Sequence, residues 1–265
     1  MRKIHLLIID PQNDFCDPNG SLYVDGAEKD MERLSAMILR LKDKIDDIHV
    51  TLDSHRLFDV AHPIYWKDSA GNHPNPFTVI KPDDMKRGAW DTSIPSLHDR
   101  TLQYLEMLAK NKRYDLMIWP PHCLIGSPGH NICPSVLKSL HSWEAKPGRM
   151  VDMVTKGSNP FTEHYSGVQA EVPDPNDPST QINVDLIKIL TEADDILVAG
   201  EASSHCLKSS VEDIANNFGD DNVKKIIFLK DAASPVPIAK QLADDFVNEM
   251  VGRGMRVSTT VDYLK

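Results

Sequence analysis

Residues 195–217 read DILVAGEASSHCLKSSVEDIANN, and this stretch joins a strand-like run to a helix-like one. DILVA (195–199) has the length and composition of a buried strand, and LKSSVEDIANN (207–217) has the apolar spacing of a helix. GEASSHC (200–206) places Cys206 at the junction between them. A cysteine there is either a nucleophile at a helix N-terminus or a small core residue, because free cysteines are often buried. Its role depends on which side chains the fold brings beside it.

Strand-like and helix-like segments alternate along the rest of the chain. The other strand-like runs are 4–9, 48–52, 114–119, 150–155, 225–230 and 255–260, and the helix-like segments are 27–45, 100–112, 183–190, 209–218 and 239–251. Near-continuous apolar strands that alternate with helices are typical of a parallel sheet covered on both sides. We therefore predict a doubly wound α/β fold with a mainly parallel, six-stranded sheet and helices on both faces.

Two long segments interrupt this alternation, and no linker divides the chain. Residues 56–98 are rich in Pro, His and aromatic residues, and residues 157–181 form a second such stretch. Loops of this length are usually functional covers or disordered segments, and the tryptophans of the first one favour an ordered, packed insertion. We predict a single domain over residues 1–265 with these two insertions.

Composition narrows the class of function. The formal net charge of −10 argues against a nucleic-acid or membrane-surface partner, since both require concentrated Lys and Arg. The chain has no apolar run long enough to cross a membrane and no cleavable leader pattern at residues 1–15, so we expect a cytoplasmic protein. Its four cysteines are scattered without a CxxC pair, which predicts reduced thiols rather than disulfides or a thiolate zinc site.

Reactive side chains follow the predicted strands, where an open parallel sheet binds its ligands. Asp10, Lys156 and Cys206 each follow a different strand. A nearby ammonium and a helix N-terminus both lower the pKa of a thiol. A carboxylate beside them can take the thiol proton and return it to a leaving amine. These three residues are therefore a candidate nucleophilic triad.

A second group of residues at the same edge has the chemistry of metal ligands. Asp53 and His55 follow the second strand, and His122 follows the third. Two imidazoles and one carboxylate suit zinc, iron or manganese and leave positions open for water or substrate. Asp-x-His is a weak signal alone, so the prediction depends on the fold bringing His122 to the other two.

Together these motifs resemble the nicotinamidase/isochorismatase family of cysteine hydrolases. The resemblance rests on IIDPQNDFCDPNGSL (8–22), TLDSH (51–55), WPPHCLIGSPG (119–129), TKG (155–157) and VAGEASSHCLKSSVEDI (198–214). It implies an isochorismatase-like three-layer sandwich with Asp10, Lys156 and Cys206 as the triad. The family's metal ligands fall on Asp53, His55 and His122, and the presence of this site favours the metal-containing nicotinamidases.

The resemblance also implies a reaction and its supporting residues. Nicotinamide would be converted to nicotinate and ammonia through a thioester on Cys206, in the service of pyridine nucleotide salvage and NAD metabolism. One divalent ion, zinc in the first place with iron or manganese as alternatives, would hold the ring nitrogen. The backbone N–H groups of Ala202 and Cys206 would form the oxyanion hole, with a cis peptide before Ala202. The aromatic wall of the family falls on Phe15, Trp119 and Tyr165.

Some features leave alternatives open. Glu201 stands where the family usually has an aliphatic residue, and its carboxylate either faces the pocket, which would disfavour plain nicotinamide, or points away from it. His62 is a candidate further metal ligand. The expected partner is a small amide, bound by a homo-oligomer. The alternatives are a related cysteine amidase or ureide hydrolase with a different substrate, and a catalytically silent binding protein.

Overall fold

The computed structural model describes residues 2–265 and is built around a parallel sheet. The strands within this range are β1 (Ile4–Ile9), β2 (Asp47–Asp53), β3 (Trp66–Lys67), β4 (Val79–Ile80), β5 (Asp91–Thr92), β6 (Leu116–Met117), β7 (Asp152–Lys156), β8 (Asp195–Gly200), β9 (Ile226–Leu229) and β10 (Arg256–Ser258). The α-helices are α1 (Asn13–Cys16), α2 (Ala27–Leu41), α3 (Pro82–Lys86), α4 (His98–Asn111), α5 (Pro134–Glu144), α6 (Val184–Thr191), α7 (Cys206–Phe218), α8 (Asp220–Val223) and α9 (Lys240–Gly252). None of these helices is long and apolar enough to span a bilayer.

Six strands form the central sheet in the order β10-β9-β8-β1-β2-β7, and every pairing is parallel. Successive side chains of a strand point to opposite faces, so each strand supplies two layers of packing. On β1, Leu6 and Ile8 pack in the layer of α2 and α5, whereas Leu7 and Ile9 pack with α6, α7 and α9. The predicted three-layer α/β fold with helices on both faces is confirmed.

The first insertion is ordered and has an apolar core of its own. Tyr65 and Trp66 are almost completely buried and pack with residues of α4 and β6. The Trp66 indole N–H donates to the Val60 carbonyl at 2.7 Å, which satisfies the buried nitrogen. The packed excursion that the tryptophans predicted is therefore present.

Two predictions of secondary structure are wrong. Residues 114–119 do not form a strand of the central sheet. Only Leu116 and Met117 are extended there, and they pair antiparallel with Val79 and Ile80 of the first insertion. Residues 134–144 form the helix α5, which was not predicted, although its buried residues Val136, Leu140 and Trp143 have helical spacing.

Candidate active site

The carboxyl edge of the sheet brings the predicted triad together around one ammonium group. Lys156 ends β7, Asp10 follows β1, and Cys206 is the first residue of α7. Lys156 Nζ lies 2.9 Å from Asp10 Oδ2 and 3.6 Å from Cys206 Sγ. It also lies 2.9 Å from Asp53 Oδ1, so the lysine joins the triad to the second group of predicted residues. All four side chains are buried.

Burial is the largest single influence on the pKa of each residue in this triad. It raises the pKa of the Cys206 thiol well above its ordinary value, although the Lys156 ammonium acts in the opposite direction. Burial also raises the pKa of Asp10, again opposed by Lys156. Burial disfavours the charged form of Lys156, but Asp10 and Asp53 outweigh it and hold the lysine pKa well above its usual range. The raised pKa favours the protonated thiol, and Asp10 lies within hydrogen-bonding reach of it as the proton acceptor.

The predicted metal ligands converge as well. Asp53 Oδ2 lies 3.0 Å from His55 Nε2 and 3.4 Å from His122 Nε2. One ligand atom from each residue falls within 4.8 Å of the others. The opposite ring nitrogens have partners, since His55 Nδ1 lies 3.1 Å from Asp59 Oδ2 and His122 Nδ1 lies 2.9 Å from the Pro120 carbonyl oxygen.

This donor set fits a divalent metal ion. A histidine ligand usually donates its second N–H to a carboxylate or carbonyl, which leaves a lone pair on the nitrogen that faces the metal. His62 is packed against this set, with its ring centroid 5.1 Å from that of His55. Its Nδ1 faces the carbonyls of Arg56 and Leu57, and its buried Nε2 has no hydrogen-bond partner in the described chain. His62 thus remains a candidate for a further ligand.

A single cavity borders the cysteine, the metal-ligand group and the aromatic residues. Its lining includes Cys206 and Ala202, the ligands Asp53 and His122, and all three predicted aromatic residues, Phe15, Trp119 and Tyr165. The Trp119 indole N–H donates to the Tyr165 hydroxyl at 3.1 Å, which fixes the two rings relative to each other. Ala202 and Cys206 both line this cavity, and an oxyanion hole formed by their backbone N–H groups stays a prediction.

Two further polar residues, Glu163 and His205, line this cavity and were not predicted. Glu163 is fully buried, and burial raises its pKa to about 8. Its Oε1 accepts from the His164 backbone N–H, and its Oε2 has no hydrogen-bond partner within residues 2–265. His205 contacts the rings of Tyr114, Trp119 and Tyr165, and burial lowers its pKa to about 4. His205 was detectable from its place beside Cys206, whereas Glu163 lies in an insertion without a recognisable pattern.

Glu201 points away from the cavity. It is fully buried, and its Oε2 accepts from the Ser234 backbone N–H at 3.1 Å. Burial raises its pKa well above the ordinary value, with the Asp30 carboxylate of α2 as the next cause. Its carboxyl group therefore lies away from both the solvent and the substrate cavity. The predicted cis peptide between Glu201 and Ala202 is present.

Comparison with solved structures identifies the fold. The structure of the yeast nicotinamidase has a TM-score of 0.65 at 19% sequence identity, covering 96% of this chain and 98% of that one. A pyrazinamidase of Pyrococcus horikoshii in complex with zinc has a TM-score of 0.57 at 18% identity, covering 97% and 99%. An isochorismatase family protein from Desulfovibrio vulgaris has a TM-score of 0.55 at 15% identity, covering 99% and 97%. The chain has the isochorismatase-like fold.

No protein-family model and no curated protein sequence matches the chain. Each of these structural neighbours is matched over nearly its whole length.

Proposed function

We propose that this protein is a metal-dependent amidohydrolase of the nicotinamidase/isochorismatase family that converts nicotinamide to nicotinate and ammonia. The observation that carries the proposal is the shared cavity, which joins Cys206, the metal ligands Asp53 and His122, and an aromatic wall. A flat heteroaromatic amide matches these three components. Its ring packs against the aromatic side chains, its carboxamide faces the thiol, and its ring nitrogen faces the metal ligands. The ring nitrogen is a Lewis base.

Acylation begins at Cys206. Asp10 takes the thiol proton as the sulfur attacks the carboxamide carbon, and the ion pair with Lys156 keeps the carboxylate beside the thiol. The N–H groups of Ala202 and Cys206 stabilise the oxyanion as it develops. Asp10 then gives its proton to the leaving nitrogen, so the C–N bond breaks, ammonia departs and a thioester with Cys206 remains.

Deacylation repeats the proton transfer with water as the nucleophile. Asp10 takes a proton from water as it attacks the thioester, and returns it to the cysteine when the C–S bond breaks. Nicotinate leaves and the thiol is restored. This product would serve pyridine nucleotide salvage and NAD metabolism in the cytoplasm.

Asp53, His55 and His122 would hold one divalent ion, with zinc as the first candidate and iron or manganese as alternatives, and His62 stands beside them. When bound, the ion supplies a Lewis acid that orients the ring through its nitrogen. The unpartnered carboxyl oxygen of Glu163 also borders the cavity and offers a hydrogen bond to a polar group of the substrate.

Ammonia release from nicotinamide by zinc-loaded protein tests this function, with Cys206→Ala as the matched control. We expect turnover by the wild type and at least a 10³-fold loss in the variant. Activity on another small amide but not on nicotinamide would refute the substrate and keep the thiol chemistry, as expected for a related amidase or ureide hydrolase. Turnover that survives in Cys206→Ala would refute the nucleophile.

A further inference from the structure

A second cluster of histidines lies at the opposite edge of the sheet from Cys206. It forms where β1, β2 and β7 begin. In the sheet register His5 of β1 is the partner of Asp47 of β2, and His49 of β2 is the partner of Asp152 of β7. Because side chains alternate along a strand, these four residues share one face of the sheet. Both imidazoles are completely buried.

The distances within this cluster suit a metal ion. His49 Nε2 lies 3.2 Å from His5 Nδ1 and 4.0 Å from Asp47 Oδ2. One ligand atom from each of these three residues lies within 4.8 Å of the other two. A tetrahedral zinc ion with bonds of about 2.0–2.1 Å holds its ligand atoms roughly 3.3 Å apart. The three ligand atoms therefore need to move only slightly closer together to bind it.

A carboxylate orients one imidazole for this role. His49 Nδ1 lies 2.9 Å from Asp152 Oδ2, which places the ring proton on Nδ1 and leaves a lone pair on Nε2. A histidine that binds a metal ion through one ring nitrogen usually donates its other N–H to a carboxylate or carbonyl group. His5 is completely buried beside His49. Its Nε2 has no hydrogen-bond partner in the described chain, so His49 alone engages the ring through hydrogen bonding.

We propose that His5, Asp47 and His49 form a second divalent-metal site, for Zn²⁺ in the first place, with water completing the coordination. Water reaches the site through Asp47, whose side chain is 29% exposed. Asp10 is five positions after His5, which is about 16 Å along an extended strand, so the ion takes no part in the amide chemistry. The ion links β1 to β2 through its ligands, and the hydrogen bond between His49 and Asp152 connects the site to β7.

Zinc content measured on the full-length protein after dialysis against Zn²⁺ tests the proposal. Asp47→Asn and His49→Gln remove a ligand from the new site, Asp43→Asn is the control for the loss of one nearby exposed carboxylate, and His122→Ala empties the other metal-ligand group. We expect Asp47→Asn and His49→Gln each to lose one equivalent of zinc that Asp43→Asn and His122→Ala retain. Ammonia release should be unchanged in Asp47→Asn.

A thermal denaturation series gives an independent measurement. An ion that binds only the folded state raises the melting temperature with its concentration. We expect added Zn²⁺ to raise the melting temperature of His122→Ala, and to do so much less when Asp47→Asn is added. Because Asp47 is partly exposed, its variant should fold even if His49→Gln does not. Full zinc content in Asp47→Asn, together with a full thermal shift in the variant that carries both His122→Ala and Asp47→Asn, would overturn the second site, whatever the outcome of the nicotinamide assay.

Discussion

Asp10 occupies an unusual backbone position and has a carboxyl held from two sides. Its φ of 43° lies in the left-handed region, which non-glycine residues adopt rarely and mostly where function requires it. The Thr51 hydroxyl donates to Oδ1 at 2.5 Å, and the Lys156 ammonium lies 2.9 Å from Oδ2. These contacts fix the carboxyl in place while leaving it able to exchange a proton with Cys206.

Asp10→Asn should preserve the shape of this side chain and remove its proton transfer. We expect kcat for nicotinamide hydrolysis to fall by about 10²–10⁴. Binding of nicotinate, measured by calorimetry, should change little, because Asp10 does not line the cavity. Wild-type turnover in this variant would show that another group carries the proton.

The carboxyl of Glu201 can be tested by two substitutions. Its Oε2 accepts from the Ser234 backbone N–H, and burial raises its pKa well above the ordinary value. Glu201→Gln retains the acceptor, so we expect turnover within about threefold of wild type. Glu201→Ala leaves a buried N–H without its partner and should lower the free energy of unfolding by about 1–3 kcal/mol. A large loss of turnover in Glu201→Gln alone would mean that the acid itself takes part in catalysis.

At the scale of elements, local sequence patterns were sufficient to predict a strand whose two ends are clearly marked in the sequence. β1 was predicted with its observed bounds and β8 to within one residue, because each is an apolar run that ends at Asp10 or Gly200. Residues 114–119 have the same composition, but Leu116 and Ile118 pack with the first insertion rather than the sheet. That difference depends on tertiary contacts which no window of sequence contains. In contrast, α5 was detectable from its own spacing and from the proline at its first position.

The metal-ligand group illustrates the same limit. Asp53 and His55 are recognisable as a local pair, but His122 joins them only because of the fold. Asp59 and His62 lie in the first insertion and both contact His55, so the insertion contributes to the structure of the metal-ligand group. The Val60 backbone bridges both insertions, since its N–H donates to the Pro160 carbonyl and its carbonyl accepts from Trp66.

Trp66→Ala tests this supporting role of the first insertion. Loss of a fully buried indole should lower the free energy of unfolding by about 3–5 kcal/mol. The zinc content at the Asp53, His55 and His122 group should also fall, because the freed Val60 carbonyl lies next to Asp59. Trp90→Ala is the control, since Trp90 is only partly buried at the edge of the same cluster. If the zinc content is unchanged in a folded Trp66→Ala protein, the packing of the first insertion does not support the metal-ligand group.

For the whole molecule, the parallel sheet explains why distant parts of the sequence meet. Asp10, Asp53, Lys156 and Cys206 follow or end four different strands, and the parallel arrangement places all four strand ends at one edge. A single domain and a homo-oligomer stay predictions at this scale. Size-exclusion chromatography with light scattering would measure the oligomeric state directly.

A buried cluster around Arg113 connects the second insertion to α7 and makes stability depend on pH. The Arg113 guanidinium lies 3.1 Å from Asp213, 3.1 Å from Glu212 and 3.7 Å from Glu171. Burial raises the pKa of Glu171 from 4.5 to about 7, with the Arg113 charge opposing it. Between these two pH values the folded protein holds a proton that the unfolded chain has released. The free energy of unfolding should therefore fall as the pH rises from 4.5 to 7 and change little from this cause above 7.

Glu171→Gln removes this titration while keeping the shape of the side chain. Because one pKa unit corresponds to 1.36 kcal/mol, we expect the variant to gain up to about 3 kcal/mol of stability over wild type by pH 8 and almost none at pH 4.5. Urea unfolding at a series of pH values measures this difference. Glu106→Gln, at an exposed ion pair with Lys86, is the control and should follow the wild-type profile. If Glu171→Gln also follows that profile, the carboxyl of Glu171 is ionised in the folded state and Arg113 outweighs the cost of its burial.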